Sequence, residues 1–115
     1  MPDPTPVDGE LPPRLLQDTA AIFGLLSAPV RLHILWLLSG GEHDVGTLAD
    51  KTGQSLATVS HHLSKLKLAG LVRAQRHGKR QVYVATDPRV LAVIREAIGG
   101  QADPDLPRHI RRVVN

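Results

Sequence analysis

Glycines at 40–41, 53, 70, 78 and 99–100 punctuate this chain, and helices or strands are expected to stop or turn at them. Such spacing confines the fold to short elements joined by tight connections, and hydrophobic period decides their type. Pro12 and Pro13 suit the first turn of a helix, after which Leu15, Leu16, Ile22, Phe23 and Leu26 recur at helical spacing. Ser27 is placed to cap a second helix with Pro29 in its first turn. That helix continues through Leu32, Ile34, Leu35, Trp36, Leu37 and Leu38 to Gly40–Gly41. Apolar nearly all round, it is expected to be the buried centre. Asp44 is expected to cap a short third helix containing Val45, Leu48 and Ala49, closed by Gly53. Ser55 is expected to cap a fourth, Leu56 to Ala69, ended by Gly70.

Leu71 to Arg76 and Arg80 to Ala85 read as two strands joined at His77–Gly78–Lys79, with Val72, Val82 and Val84 as the β-branched residues. A last helix is expected from a cap at Asp87, with Pro88 at its first position, to Ile98, stopped by Gly99–Gly100. The order α-α-α-α-β-β-α predicts a mostly helical domain with a small β-hairpin, the winged helix-turn-helix. Residues 1–10, with three prolines and three acids, read as a disordered acidic tail, 11–100 as the folded domain and 101–115 as a flexible basic tail.

A domain of this size has a modest core, and dimerisation buries more apolar surface where no disulfide or structural metal helps. Leu15, Leu16, Ile22 and Phe23 of the first helix and Val90, Leu91, Ile94 and Ile98 of the last exceed what one small core can bury, so a homodimer seam is expected there. With no cysteine there is neither a disulfide framework nor a thiolate metal site, which fits a reducing cytosol and a cytoplasmic protein. The longest apolar runs, such as Ile34 to Leu38, are too short to cross a bilayer, and no membrane association is expected.

Charge is distributed as unevenly as glycine. Between Lys51 and Ala85 there is no aspartate or glutamate, yet Lys51, Lys65, Lys67, Arg73, Arg76, Lys79 and Arg80 all fall there, although the formal net charge is only +3. A one-signed surface attracts a phosphate backbone. On the fourth helix, Leu56, Val59, Leu63 and Leu66 at i, i+3, i+7 and i+10 should face the core. Thr58, Ser60, His61 and Lys65, joined by Gln54 and Ser55 at the helix entry, are then left to read DNA. The hairpin adds Arg73, Arg76, His77, Lys79 and Arg80 as a basic wing for the backbone. A merely solvated face is the bland alternative, but such faces normally mix both signs of charge. Aromatic residues make up 3% of the chain, too few to bind single strands by base stacking, so double-stranded DNA is the expected partner, read as an imperfect palindrome by a dimer.

Three blocks resemble a known family. Ser27–Ala–Pro–Val–Arg–Leu–His–Ile–Leu–Trp–Leu–Leu38, Val45–Gly–Thr–Leu–Ala49, and Ala57–Thr–Val–Ser–His–His–Leu–Ser–Lys–Leu66 with Ala69–Gly–Leu–Val72 behind it are similar to the ArsR/SmtB family of winged-helix regulators. The resemblance spans about residues 15 to 99 and implies a homodimer built from the first and last helices. It also implies transcriptional control, by default repression, released or altered by a metal ion or other inducer.

The two ligand sets of that family are both broken here. Where one type has cysteines flanking a valine at the start of the third helix, this chain has Asp44 and Gly46. Where the other has Asp-x-His at the start of the last helix, Asp87 remains but Arg89 replaces the histidine, and Gly99–Gly100 stand near the second ligand pair. An arginine cation does not ligate a metal. The segment Leu106–Pro–Arg–His109 resembles the tail of some nickel/cobalt sensors of the family. His109 with Asp103, Asp105 or Asp87 offers nickel or zinc at most a weak, poorly selective oxygen/nitrogen site, and His43 beside Asp44 is a second weak candidate. No metal ligand is assigned. His33 is expected to pack on the second helix and His62 to brace the fourth against the core.

Other readings stay open: a metal-independent regulator or activator, one dependent on a partner sensor protein, or a winged helix that binds protein instead of DNA. The polar run Arg76 to Arg80 counts against the last. An enzyme is disfavoured because His61–His62 have no orienting acid nearby for a triad, and no H-E-x-x-H motif is present.

Overall fold

In the computed structural model residues 9–102 are described. The order is α1 (Pro13–Leu26), α2 (Pro29–Leu38), β1 (His43–Asp44), α3 (Val45–Thr52), α4 (Leu56–Leu68), β2 (Val72–His77), β3 (Arg80–Ala85) and α5 (Pro88–Ala102). This is the expected winged helix-turn-helix with one strand more. The two residues of β1 pair antiparallel with β3, His43 opposite Tyr83 and Asp44 opposite Val82, which makes a three-stranded sheet of order β1-β3-β2. The hairpin registers His77 against Arg80, so the turn is Gly78–Lys79 and His77 belongs to the strand. Gly78 at φ +65° with no positive φ at Lys79 suits a two-residue turn whose twist matches the strands.

The core gathers around α2. Ile34, Leu35 and Leu38 meet Leu48 and Ala49 of α3, Val59, Leu63 and Leu66 of α4, Leu71 and Val72 after it, and Val90 and Ile94 of α5. α2 is central but not buried all round, since Trp36 and His33 are exposed. At the end of α4, Gly70 at φ +77° reverses the chain: its amide donates to the Lys67 carbonyl and that of Leu71 to the Leu66 carbonyl. This left-handed stop drops Leu71 into the core and launches the hairpin. The hairpin's far end is fastened to the same turn, with the Thr86 amide donating to the Leu71 carbonyl at 3.0 Å and its hydroxyl to the Gly70 carbonyl.

Asp44, Ser55 and Asp87 cap their helices as expected. Asp44 Oδ1 accepts from the Thr47 amide at 2.8 Å, Ser55 Oγ from the Thr58 amide at 3.1 Å and Asp87 Oδ1 from the Arg89 amide at 3.0 Å. Ser27 does not: the N-cap of α2 is Ala28, and the Ser27 hydroxyl donates back to the Gly24 carbonyl at 2.7 Å, closing α1 instead. α5 also runs through Gly99 and Gly100 to Ala102, because both keep helical backbone angles and glycine in a helix costs about 1 kcal/mol without forcing a stop. Among the described residues no single helix is long and apolar enough to cross a membrane. Leu106–Pro–Arg–His109, Asp103 and Asp105 lie outside the described residues.

Candidate nucleic-acid interface

α4 is held from behind by Val59, Leu63 and Leu66, none more than 1% exposed, which aims its other side outward. Leu56, expected on the same inward stripe, is exposed instead: it opens the helix one turn before the packing begins. Gln54, Ser55, Ser60, His61 and Lys65 are exposed and Thr58 half-buried. The Ser55 hydroxyl donates to Thr58 Oγ1 at 2.9 Å, which leaves the Thr58 hydroxyl proton available to an outside acceptor. His61 lies beside His62, ring centroids 5.7 Å apart. With Ser55 as cap, the first-turn amides of α4 and the positive end of its dipole sit among these side chains, an arrangement that favours phosphate.

The hairpin carries the remaining predicted contacts, and the structure divides them. Arg73, Arg76 and Lys79 are exposed and have no ion pair among the described residues. Arg73 and Arg76, three residues apart on one strand, emerge on opposite faces of the sheet. Arg80 Nη2 is bound to Asp44 Oδ2 at 3.0 Å, and His77 Nδ1 lies 3.6 Å from Glu42 Oε1. The sequence assigns Arg80 and His77 to the DNA backbone; in the structure Arg80 also pairs with Asp44 of β1 and His77 approaches Glu42, while both side chains remain exposed.

Asp44 is the hinge of that tie. Its pKa is lowered to about 2 by the Thr47 amide hydrogen bond first, then by the Thr47 side chain and by Arg80. A carboxylate whose folded pKa lies below its unfolded value of 3.8 contributes stability above that value and loses it as pH falls toward about 2. Asp44→Ala removes both the cap and the ion pair and should lower Tm by about 4–8 °C, the scale of one lost cap in a small domain. Asp44→Asn keeps a cap acceptor and should recover most of that loss while abolishing the acid step, which calorimetry between pH 2 and 5 would show.

The carboxylates at the positions that match the family's two ligand sets are already engaged within the fold. Asp44 serves Thr47 and Arg80, and Asp87 accepts from the Arg89 and Val90 amides with the Arg89 guanidinium 3.6 Å away. His43 is half-buried in β1, paired with Tyr83. Among the described residues no three His, Asp or Glu side chains converge as metal ligands would.

The seam positions separate into two sets. No residue of α1 is buried in the protomer; Leu16 and Phe23 are 55% and 56% exposed, while Leu15 and Ile22 are half-buried. Val90 and Ile94, expected at the seam, are buried inside the protomer against α2, and Leu91 and Ile98 flank that core. The large apolar residue of α5 that faces out among the described residues is Val93, 45% exposed, three residues from Val90 and not among the seam positions expected from the sequence. An apolar groove of about 360 Å³ runs between α1 and α5, lined by Leu15, Ile22, Phe23, Leu26, Val90 and Val93 among others, with Asp18, Asp87 and Arg89 at its polar margin.

The sequence profile of the bacterial regulatory protein arsR family matches residues 28–74, from the start of α2 into β2. The regulator KmtR of Mycobacterium tuberculosis is 35% identical over 78% of this chain and 71% of its own. The chain belongs to the arsR family. As a member it is a DNA-binding transcriptional regulator with a winged helix-turn-helix. Two solved structures of transcriptional regulators agree. The homodimeric DNA-binding domain of Mb0332 from Mycobacterium bovis, a possible ArsR-family regulator, superimposes with a TM-score of 0.67 at 38% identity. It covers 74% of this chain and 79% of that one. The antimony-specific repressor AntR does so with a TM-score of 0.72 at 28% identity, over 84% and 88%.

Proposed function

We propose that this arsR-family protein is a cytoplasmic homodimeric repressor that binds an imperfect inverted repeat, with α4 of each protomer in a major groove and the hairpin on the flanking backbone. The observation that carries this reading is the outward face of α4 and the wing: Gln54, Ser55, Thr58, His61 and Lys65 beside Arg73, Arg76 and Lys79, with no acid from Lys51 to Ala85. Repelling nothing on DNA, such a surface both steers and docks. The homodimer is supported by the uncovered apolar side of α1 and by the homodimeric Mb0332 domain. A two-fold dimer would set its half-sites roughly 34–36 Å apart, or a multiple of that. Selection of double-stranded sequences from a random pool tests the reading. It should return an inverted repeat whose affinity falls steeply with salt, and recovery of no preferred sequence would overturn it.

For sensing, AntR is antimony-specific, but the positions inherited here favour no tight site, with Asp44 and Asp87 committed to caps and Arg89 in place of a ligand. The full chain is expected to bind nickel or zinc weakly and with poor selectivity, and metal to change operator affinity little, since coupling needs a ligand that prefers one conformation. A selective site would then belong to a partner sensor protein or an interface shared with one. Calorimetric titration checks this: a nanomolar, selective site with a tenfold shift in operator affinity, about 1.4 kcal/mol of coupling, would refute it.

A further inference from the structure

Arg31 joins three helices. From α2 its Nε donates to the Leu25 carbonyl at 2.8 Å, one of the carbonyls that the C-terminal turn of α1 leaves without a helical partner. Its Nη1 lies 3.4 Å from Nδ1 of His62 on α4. A guanidinium has five N–H donors and no acceptor, so the imidazole nitrogen facing it must present a lone pair. This contact favours a neutral ring with its proton on Nε2. Burial of the ring acts in the same direction, followed by the charges of Arg31, His61 and Lys65, all of which lower the His62 pKa.

We propose that Arg31 is a positioning residue for DNA recognition: it holds His62 as the neutral Nε2–H tautomer and locks the azimuth of α4 to the C-terminal end of α1. The seam helix and the reading helix then turn as one body. His62 lies next to His61 and three residues before Lys65, so a rotation of α4 about this contact moves both of those side chains across the groove. The proposal rests on the reading that α4 enters DNA, but half of its test needs no DNA.

Long-range proton–nitrogen spectra of the full chain at neutral pH should show His62 with a protonated Nε2 and an unprotonated Nδ1, and Arg31→Ala should mix the tautomers. Arg31→Ala is also expected to weaken operator binding about tenfold, within the range of a broken pairwise coupling, with the salt slope unchanged. His62→Asn sets an amide oxygen near the Nδ1 position and should hold affinity within about threefold, whereas His62→Leu, which supplies no acceptor, should match Arg31→Ala. The Arg31→Ala/His62→Leu double variant should lose no more than either single one. A charged ring or an Nδ1–H tautomer in the wild-type protein would overturn the proposal before any variant is made. So would losses that add, or a salt slope lowered by about one unit for each Arg31 removed, the mark of a phosphate contact. If the wild-type protein selects no DNA sequence, the α4 reading fails by itself and the tautomer still decides the Arg31–His62 arrangement.

Discussion

Phe23→Asp is expected to leave a folded protomer that no longer dimerises and binds its operator about 10²–10⁴-fold more weakly, the range in which two linked sites exceed one. α1 buries none of its residues in the protomer, and Phe23 is 56% exposed on the edge of the α1–α5 groove, so a charge there removes little from the fold. In a dimer the same ring would leave water, and a carboxylate in that position would be desolvated without a partner. Val93→Asp, on the opposite wall of the groove, should behave alike, whereas Ile94→Asp, one residue on but 1% exposed, should unfold the protomer instead. Sedimentation equilibrium with circular dichroism separates the three. A wild-type protein that stays monomeric at micromolar concentration would sink the seam.

That contrast also shows what the sequence could and could not convey. Helix positions were legible because caps, prolines and glycine stops agree with the apolar period, as at Asp44, Ser55 and Gly70. Two neighbouring stripes on one helix were not separable: Val90, Val93, Ile94 and Ile98 satisfy helical spacing for either an inner or an outer face, and only the approach of α2 assigns Val90 and Ile94 inward. The two-residue strand β1 had no signal, since two residues cannot display alternation and Asp44 already read as a cap; Asp44 does both. Ser27 misled because the chain bends by 91° between α1 and α2, and a serine at that bend can serve either helix. At the candidate interface, the basic residues were legible as a set, but pairing was not. Nothing local ties Arg80 to Asp44, 36 residues away, or Arg31 to His62, 31 away.

Helix and wing should fail in different ways, and the difference tests which of them reads sequence. His61→Ala or Thr58→Ala is expected to cost about 1–3 kcal/mol on the preferred operator if the side chain bonds a base edge, and much less on unrelated DNA, so the preference narrows. Both side chains lie off the buried Val59–Leu63 stripe of α4; His61→Ala should leave stability nearly unchanged, and Thr58→Ala should lose only the hydrogen bond from the exposed Ser55 hydroxyl. Arg76→Ala or Lys79→Ala should weaken all sequences alike, because a phosphate offers charge and no code. Removing one cation from a phosphate lowers the salt slope by about one unit, so a dimer without either residue in either wing should drop by about four. Arg80→Ala should fall short of that. Its guanidinium is already held by Asp44 at 3.0 Å, and what the variant breaks first is the tie between wing and β1. Affinities on preferred and scrambled duplexes across a salt series give all of these quantities. Wing variants that changed sequence preference, with helix variants that changed nothing, would reverse the assignment of the two elements.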